Sequence, residues 1–224
     1  MLEIILDTET TGLSIAENHR IVEIGCIELE NLIPTNKIFH KYINPKRKVS
    51  EEAYKVHGYS DEFLSKQKTF SDISEEFLNF IKDKKIIIHN AAFDLSFINY
   101  ELKIIKKSAI DKKNIIDTLE IARNKYPGSQ NSLDALCKRF GIDSSKREKH
   151  NALVDCQLLK EVYINLVDQK EPKLDLQNEE ISESKFDYSL NQKNYSKRKI
   201  INPTDEEIQL HKKYLKLYLP KNYY

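Results

Sequence analysis

Apolar positions along the chain change their period several times, and each change predicts an element. Leu2-Glu3-Ile4-Ile5 is short, apolar and β-branched, which predicts a buried strand. His19 to Asn31 predicts a second strand carried by Ile21, Ile24 and Ile27, with Gly25 as a candidate bulge. Asn36 to Ile43 alternates at Ile38 and Tyr42, a third strand that Asn44-Pro45 ends. Strands joined this closely imply an antiparallel meander. Helical spacing then takes over. Ser50 to Tyr54 and Ser60 to Leu64 are short helices, with Val56-His57-Gly58 in a loop between them. Thr69 opens a clearer helix, in which Ile73, Phe77, Phe80 and Ile81 share one face. Lys85 to Ile88 is the compact run of a strand buried on both faces of a parallel sheet. His89-Asn90-Ala91-Ala92-Phe93-Asp94 comes next, then a helix through about Ile105, and Ile115-Ile116-Asp117 is one more short strand. Ser132 to Phe140 is an amphipathic helix stopped by Gly141. Asn151 to Val167 is a helix with Leu153, Cys156, Leu159 and Val162 facing inward. A meander followed by strand–helix units gives an α/β fold, a mixed sheet flanked by helices.

From Asp168 the pattern fades. Residues 168–199 are polar and rich in Asn, Gln and Ser, with scattered single apolar residues, and are expected to be disordered or loosely held. Thr204 and Glu207 form a capping-box signature that restarts order, and Ile208, His211, Leu215 and Tyr218 or Leu219 make one stripe. Length changes this picture little: 224 residues suffice for one domain with a real core plus an appendage. No run approaches the ~18 apolar residues of a membrane span. The chain enters its first strand at once, so no signal peptide and a cytoplasmic location are expected. Cys26, Cys137 and Cys156 sit in apolar patterns without metal spacing, as buried thiols of a reducing compartment do. Charge is more informative. Lys+Arg and Asp+Glu number 36 and 35, so any grip on nucleic acid is expected to be weak, with something else holding the chain on its substrate.

Candidate chemistry begins where the first strand ends. Asp7 and Glu9 are two apart and project to the same side of a strand. Two carboxylates there repel unless a cation lies between them. Gly12 then allows a sharp turn. The same D-x-E spacing at Asp205-Glu206-Glu207 only starts a helix, so the pair acquires meaning from what lies downstream. Asp94 and Asp155 are the downstream acids, and each alone reads as an acid favoured near a helix start. His150 sharpens the reading. Residues five apart on a helix differ by ~140° in direction. His150 can therefore share a site with Asp155 only from the loop before the helix, where Asn151 is a plausible cap. A histidine beside acids suits a general base.

DTETTGL (7–13), HNAAFD (89–94) and HNALVD (150–155) resemble, in order, the three exonuclease motifs of the DEDD nucleases of the histidine subtype. VHGYSDEFL, SQNSLDALCKRFGIDSSKREKH and TDEEI extend the likeness to the proofreading subunits of bacterial replicative polymerases. The resemblance covers residues 2–166 closely and the tail more thinly. It implies a ribonuclease H-like fold and two magnesium ions, replaceable by manganese. It implies that Asp7 bridges both ions, that Glu9 and Asp155 complete one site, and that Asp94 helps the other, partly through water. His150 would take the proton from the attacking water. Glu52 and His57 correspond to residues touching the terminal nucleotide, alongside Asp7, Glu9 and Asp155. Asp117 matches a recurring acid, for which a supporting role is expected. Lys48 stands where the family often has an apolar residue.

The resemblance further implies a 3′→5′ exodeoxyribonuclease acting on single-stranded or frayed 3′ DNA ends and releasing nucleoside 5′-monophosphates. Residues 1–167 would be the exonuclease domain, 168–199 a flexible linker and 200–224 a tail that docks the polymerase III catalytic (alpha) subunit. A coil of the linker's length spans about 30 Å, enough to hold the nuclease near the DNA end at high effective concentration. A small third core subunit and the sliding clamp are further candidate partners. For the clamp the only signal is Pro172-Lys173-Leu174-Asp175-Leu176, which an accidental pair of leucines explains as well. Two alternatives compete with this reading: an exoribonuclease of the same fold and a non-catalytic polymerase-stabilising module. The tail speaks against the first. The joint presence of five chemistry-bearing residues speaks against the second, because unpaired acids in one pocket cost stability.

Overall fold

The computed structural model describes residues 2–145, 149–167 and 203–218, the last three by backbone alone. The chain divides into two units, 1–173 and 174–224. In the first unit, three strands form the expected meander: β1 (Leu2–Thr10), β2 (Ile21–Glu30) and β3 (Ile33–Tyr42). Three helices follow, α1 (Glu51–His57), α2 (Asp61–Ser65) and α3 (Phe70–Ile81). Next come β4 (Lys85–Ile88), α4 (Ala91–Ile104), β5 (Ile115–Asp117), α5 (Thr118–Lys125), α6 (Leu133–Phe140) and α7 (Ala152–Leu166). The sheet order is β3-β2-β1-β4-β5, with β1–β2 and β2–β3 antiparallel and β1–β4 and β4–β5 parallel. β1 therefore lies centrally, and the carboxyl ends of β1, β4 and β5 point the same way. In sheets of this kind the crevice beyond those ends gathers polar groups.

Strand alternation sorts side chains between two layers. Ile4 and Leu6 of β1 join Ile24, Cys26, Ile86 and Ile88 in a core shared with Phe77 of α3 and Phe97 of α4. Ile5, Ile27 and Ile87 face the other way, onto Cys156, Leu159 and Tyr163 of α7. The odd-numbered positions of β1 thus look toward α7, and the even ones toward α4. All three cysteines are buried free thiols, as expected. Among the described residues no helix is long and apolar enough to cross a membrane.

Four local expectations need correction. Gly25 is not a bulge: the register shifts fall between Glu9 and Thr10 and between Ile27 and Leu29. Gly25 instead admits another backbone, since a Cβ built on it would lie 2.6 Å from the Ala152 carbonyl carbon. His57 is not in a loop. The Ser50 hydroxyl caps Ala53, and the helix runs on through His57 to Gly58, whose φ of 77° ends it. The third strand begins at Ile33 rather than Asn36. α5 was not anticipated, because only Leu119, Ile121 and Ala122 give it an apolar side. Its start was nevertheless written in Asp117, whose side chain accepts from Leu119 N at 2.9 Å.

In the second unit, α8 (Asp205–Tyr218) is the last helix among the described residues. Thr204 Oγ1 accepts from Glu207 N at 3.3 Å, and Glu207 Oε2 accepts from Thr204 N at 2.8 Å, a closed capping box. Ile208, Leu210 and Tyr214 are exposed on α8. Residues 168–199, expected to be disordered, lie outside the described residues.

Candidate active site

Asp7, Glu9, Glu52, His57, Asp94, His150 and Asp155 line one cavity of about 930 Å³ beyond the carboxyl ends of β1 and β4. Each arrives by a local cause. Asp7 and Glu9 follow Ile5 on the odd face of β1, toward α7. Thr8 lies between them on the even face, toward α4. There Asp94 Oδ1 accepts from Thr8 N at 3.0 Å and from Thr8 Oγ1 at 2.7 Å. Asp94 is 3 % exposed, and burial pushes its pKa up to about 7 although the two Thr8 bonds pull it down. The start of α4 is itself held by Asp117, whose carboxylate accepts from Asn90 N at 3.1 Å and Ala91 N at 3.0 Å. That is the supporting geometry expected of Asp117.

Asn151 caps α7, its Oδ1 accepting from Leu153 N and Val154 N at 3.1 Å each. Asp155 is therefore buried in the first turn, and His150 stands just outside the helix, as its angular separation from Asp155 requires. His150 Nδ1 lies 3.4 Å from Asp155 Oδ2, and the His150 side chain is 46 % exposed. Ligand atoms of Glu9, His150 and Asp155 all lie within 4.8 Å of one another. Asp7 feels the whole group. Burial first, and then the charges of Asp94, Glu9, Asp155 and Glu23, raise its pKa well above the usual carboxylate range. Four carboxylates gathered this closely are in conflict as anions, and a divalent cation resolves that conflict. The donors are hard oxygens, which suit a hard cation.

The opposite wall is α1. Glu52 lies on its exposed side, and His57 is buried at its end. His57 Nδ1 accepts from Tyr59 N at 3.0 Å, so the neutral ring carries its proton on Nε2. Burial lowers the His57 pKa, which keeps the ring neutral. Beneath the turn after β1, Thr11 Oγ1 and His19 Nδ1 are 3.0 Å apart. Gly12 is required there: its φ is 159°, and an added Cβ would lie 2.3 Å from the His19 ring.

Several residues of this site escaped the sequence reading. Thr8 could have been found from the parity of β1, once a helix was placed against its even face. His19 carries in the sequence only the signal of a strand start. Arg47 also lines the cavity, and no local pattern marks it; His89 and Phe93 line it too, and they stand within HNAAFD (89–94) without an expected role of their own.

The RNase_T family model, described as exonuclease, matches residues 4–163. The DNA polymerase III subunit epsilon of Rickettsia felis is 46 % identical over 217 residues, covering 95 % of each chain. The same subunit of Escherichia coli is 40 % identical over 225 residues, covering 96 % of this chain and 92 % of the relative. Among solved structures, the nuclease domain of 3′hExo, a DEDDh family member bound to rAMP, superposes with a TM-score of 0.66 at 18 % identity. It covers 75 % of this chain and 92 % of that one. Exonuclease X in complex with 5′ overhanging duplex DNA gives 0.60 at 23 %, with 75 % and 92 % covered. These two support the ribonuclease H-like exonuclease fold. With a catalytic-type pocket at the sheet's carboxyl end and full-length relatives well above 30 % identity, this chain belongs to the exonuclease family, among the epsilon subunits of DNA polymerase III.

Proposed function

We propose that this metal-dependent 3′→5′ proofreading exonuclease works through Asp7, Glu9, Asp94, Asp155 and His150, on a frayed 3′ DNA end laid against the α1 wall. The observation that carries the assignment is the convergence of four carboxylates from β1, α4 and α7 in one cavity, with His150 at 3.4 Å from one of them. Asp7 would be shared by two cations, Glu9 and Asp155 would complete one position, and Asp94 would serve the other. Magnesium fits this oxygen set, and manganese would substitute. Bound there, paired cations supply an activated water and stabilise the departing 3′-oxygen.

The chain's own residues do the rest. Asp155 Oδ2 faces His150 Nδ1 and favours the tautomer with its proton on that nitrogen, which leaves the lone pair on Nε2. His150 then takes the proton from the attacking water, at the rim where it can exchange with solvent. Thr8 keeps Asp94 from swinging away. Glu52 and His57 contact the terminal nucleotide, and release of a nucleoside 5′-monophosphate follows from cleavage on the 3′-oxygen side. Mismatch preference needs no dedicated reader. The cavity takes a single strand, and a mispaired end frays at lower cost.

Residues 200–224 would dock the polymerase catalytic subunit; the names of the epsilon relatives support only the coarser reading, a place in a polymerase III assembly. The apolar side of α8 is the surface for it. Residues 168–199 would be the tether, and residues 1–167 the catalytic domain. As a replication component the protein would work in the cytoplasm.

The test is digestion of matched and mismatched primer-templates, DNA and RNA side by side, with and without magnesium. Mismatched DNA should be trimmed fastest and only with metal. Equal or faster loss of the RNA would move the assignment to RNA trimming. His150→Ala should lower turnover by ~10²–10⁴-fold, the usual worth of a positioned base. Unchanged turnover would remove His150 from that role.

A further inference from the structure

Glu23 stands behind the cavity, fully buried, and has no part in the chemistry above. Its carboxylate accepts four hydrogen bonds. Oε1 takes His40 Nε2 at 2.6 Å and Asn151 Nδ2 at 2.9 Å. Oε2 takes the Tyr59 hydroxyl at 2.8 Å and Ala152 N at 3.0 Å. A carboxylate offers about four lone-pair sites, so this one is saturated and is no metal ligand.

The donors come from both walls of the cavity. Asn151 and Ala152 begin α7, one residue after His150 and one turn before Asp155. Tyr59 follows α1 and stacks on His57, with ring centroids 4.8 Å apart. Asn151 Nδ2 also donates to the Tyr59 hydroxyl at 2.8 Å, so its amide is committed at both ends, oxygen to the helix and nitrogen to Glu23 and Tyr59. His150 is held from the other side by its own N–H, which donates to Val56 O of α1 at 3.2 Å. An apolar residue in place of Glu23 would leave these donors buried and unmet.

We infer that Glu23 is a positioning residue for hydrolysis: it locks the α7 cap to the α1 wall and thereby fixes His150 relative to the substrate. The inference rests on the assignment of His150 as base. Glu23 touches no reacting atom, so its effect passes through the placement of the imidazole. A carboxylate that served stability alone would slow every background equally.

The test is a double-mutant cycle on the full chain, read as turnover on single-stranded DNA at saturating DNA and magnesium. Glu23→Gln keeps the shape but sets an amide N–H against two of the donors. It should slow the wild-type background by ~10–100-fold, the cost of ångström-scale misplacement. In the His150→Ala background it should slow turnover by no more than about two-fold, within ordinary additivity error. Tyr59→Phe removes one donor, and it carries the same cycle should Glu23→Gln fail to fold; a smaller loss of ~3–10-fold is expected, again absent without His150. Equal losses in both backgrounds, or no loss in the wild type, would overturn the inference. Full activity of His150→Ala alone would instead refute the base assignment.

Discussion

Gly25→Ala adds one methyl group at the place where sheet and site meet. Gly25 is not in the left-handed backbone region, so alanine fits its dihedral angles and only space is at stake. That methyl would lie 2.6 Å from the Ala152 carbonyl carbon, 2.7 Å from its oxygen and 2.8 Å from Leu153 N. All three are backbone atoms and cannot rotate away. Ordinary contact starts near 3.4 Å, so the first turn of α7 must retreat by about 0.8 Å. Overpacking of this kind costs ~1–3 kcal/mol. At ~2–4 °C per kcal/mol for a chain of this size, Tm should fall by about 2–12 °C. The retreat carries His150 and Asp155 with it, because they flank Ala152. Turnover should fall by ~10–100-fold. Thermal melting and steady-state digestion of a single-stranded oligonucleotide measure the two effects. An unchanged Tm would show that β2 and α7 are not in close contact. A lowered Tm with unchanged turnover would show that this contact does not set the site.

Asp7→Asn should abolish metal-dependent digestion, yet raise Tm in chelator, because it removes a half-buried acid repelled by Asp94, Glu9 and Asp155. Magnesium should raise Tm of the wild type but not of this variant, and equal shifts in both would displace Asp7 from the metal centre. Glu28 tests electrostatics away from the site: Lys84, helped by Thr35 and Lys37, draws its pKa down to about 2. A depressed carboxylate stabilises the fold at pH above its unfolded value and loses that contribution as pH falls toward 2. Urea melts should therefore show Glu28→Gln weaker than wild type by on the order of 1–2 kcal/mol near pH 6, with the gap closing between about pH 4.5 and 2. A constant gap would refute the ion pair with Lys84, whose Nζ lies 2.6 Å from Glu28 Oε2. Removal of residues 200–224 should spare digestion of free oligonucleotides and end co-elution with the polymerase subunit, and continued co-elution would disprove the docking role of the tail.

Much of the architecture was legible because burial writes itself as period. Ile86-Ile87-Ile88 could only be a strand covered on both faces, and it is the parallel neighbour of β1. The face shared by Ile73 and Phe77 predicted α3 for the same reason. Capping was equally readable where a side chain bonds its own helix, as Asn151 and Thr204 do. α5 was missed because eight residues with few apolar positions carry little periodic signal. His57 was misplaced because a helix ending on Gly58 and a loop beginning there look alike without the angle at the glycine.

The sequence by itself determined most of the elements, the three acidic motifs and the requirement that His150 stand outside its helix, since each depends on neighbours within a few residues. Only the tertiary structure decided what brings those motifs together. Thr8 meets Asp94 across 86 positions, Glu23 meets Asn151 across 128, and Gly25 meets Ala152 across the sheet-helix interface. Such contacts depend on which face of a strand looks at which helix and at what distance, and that geometry exists only once the layers have packed.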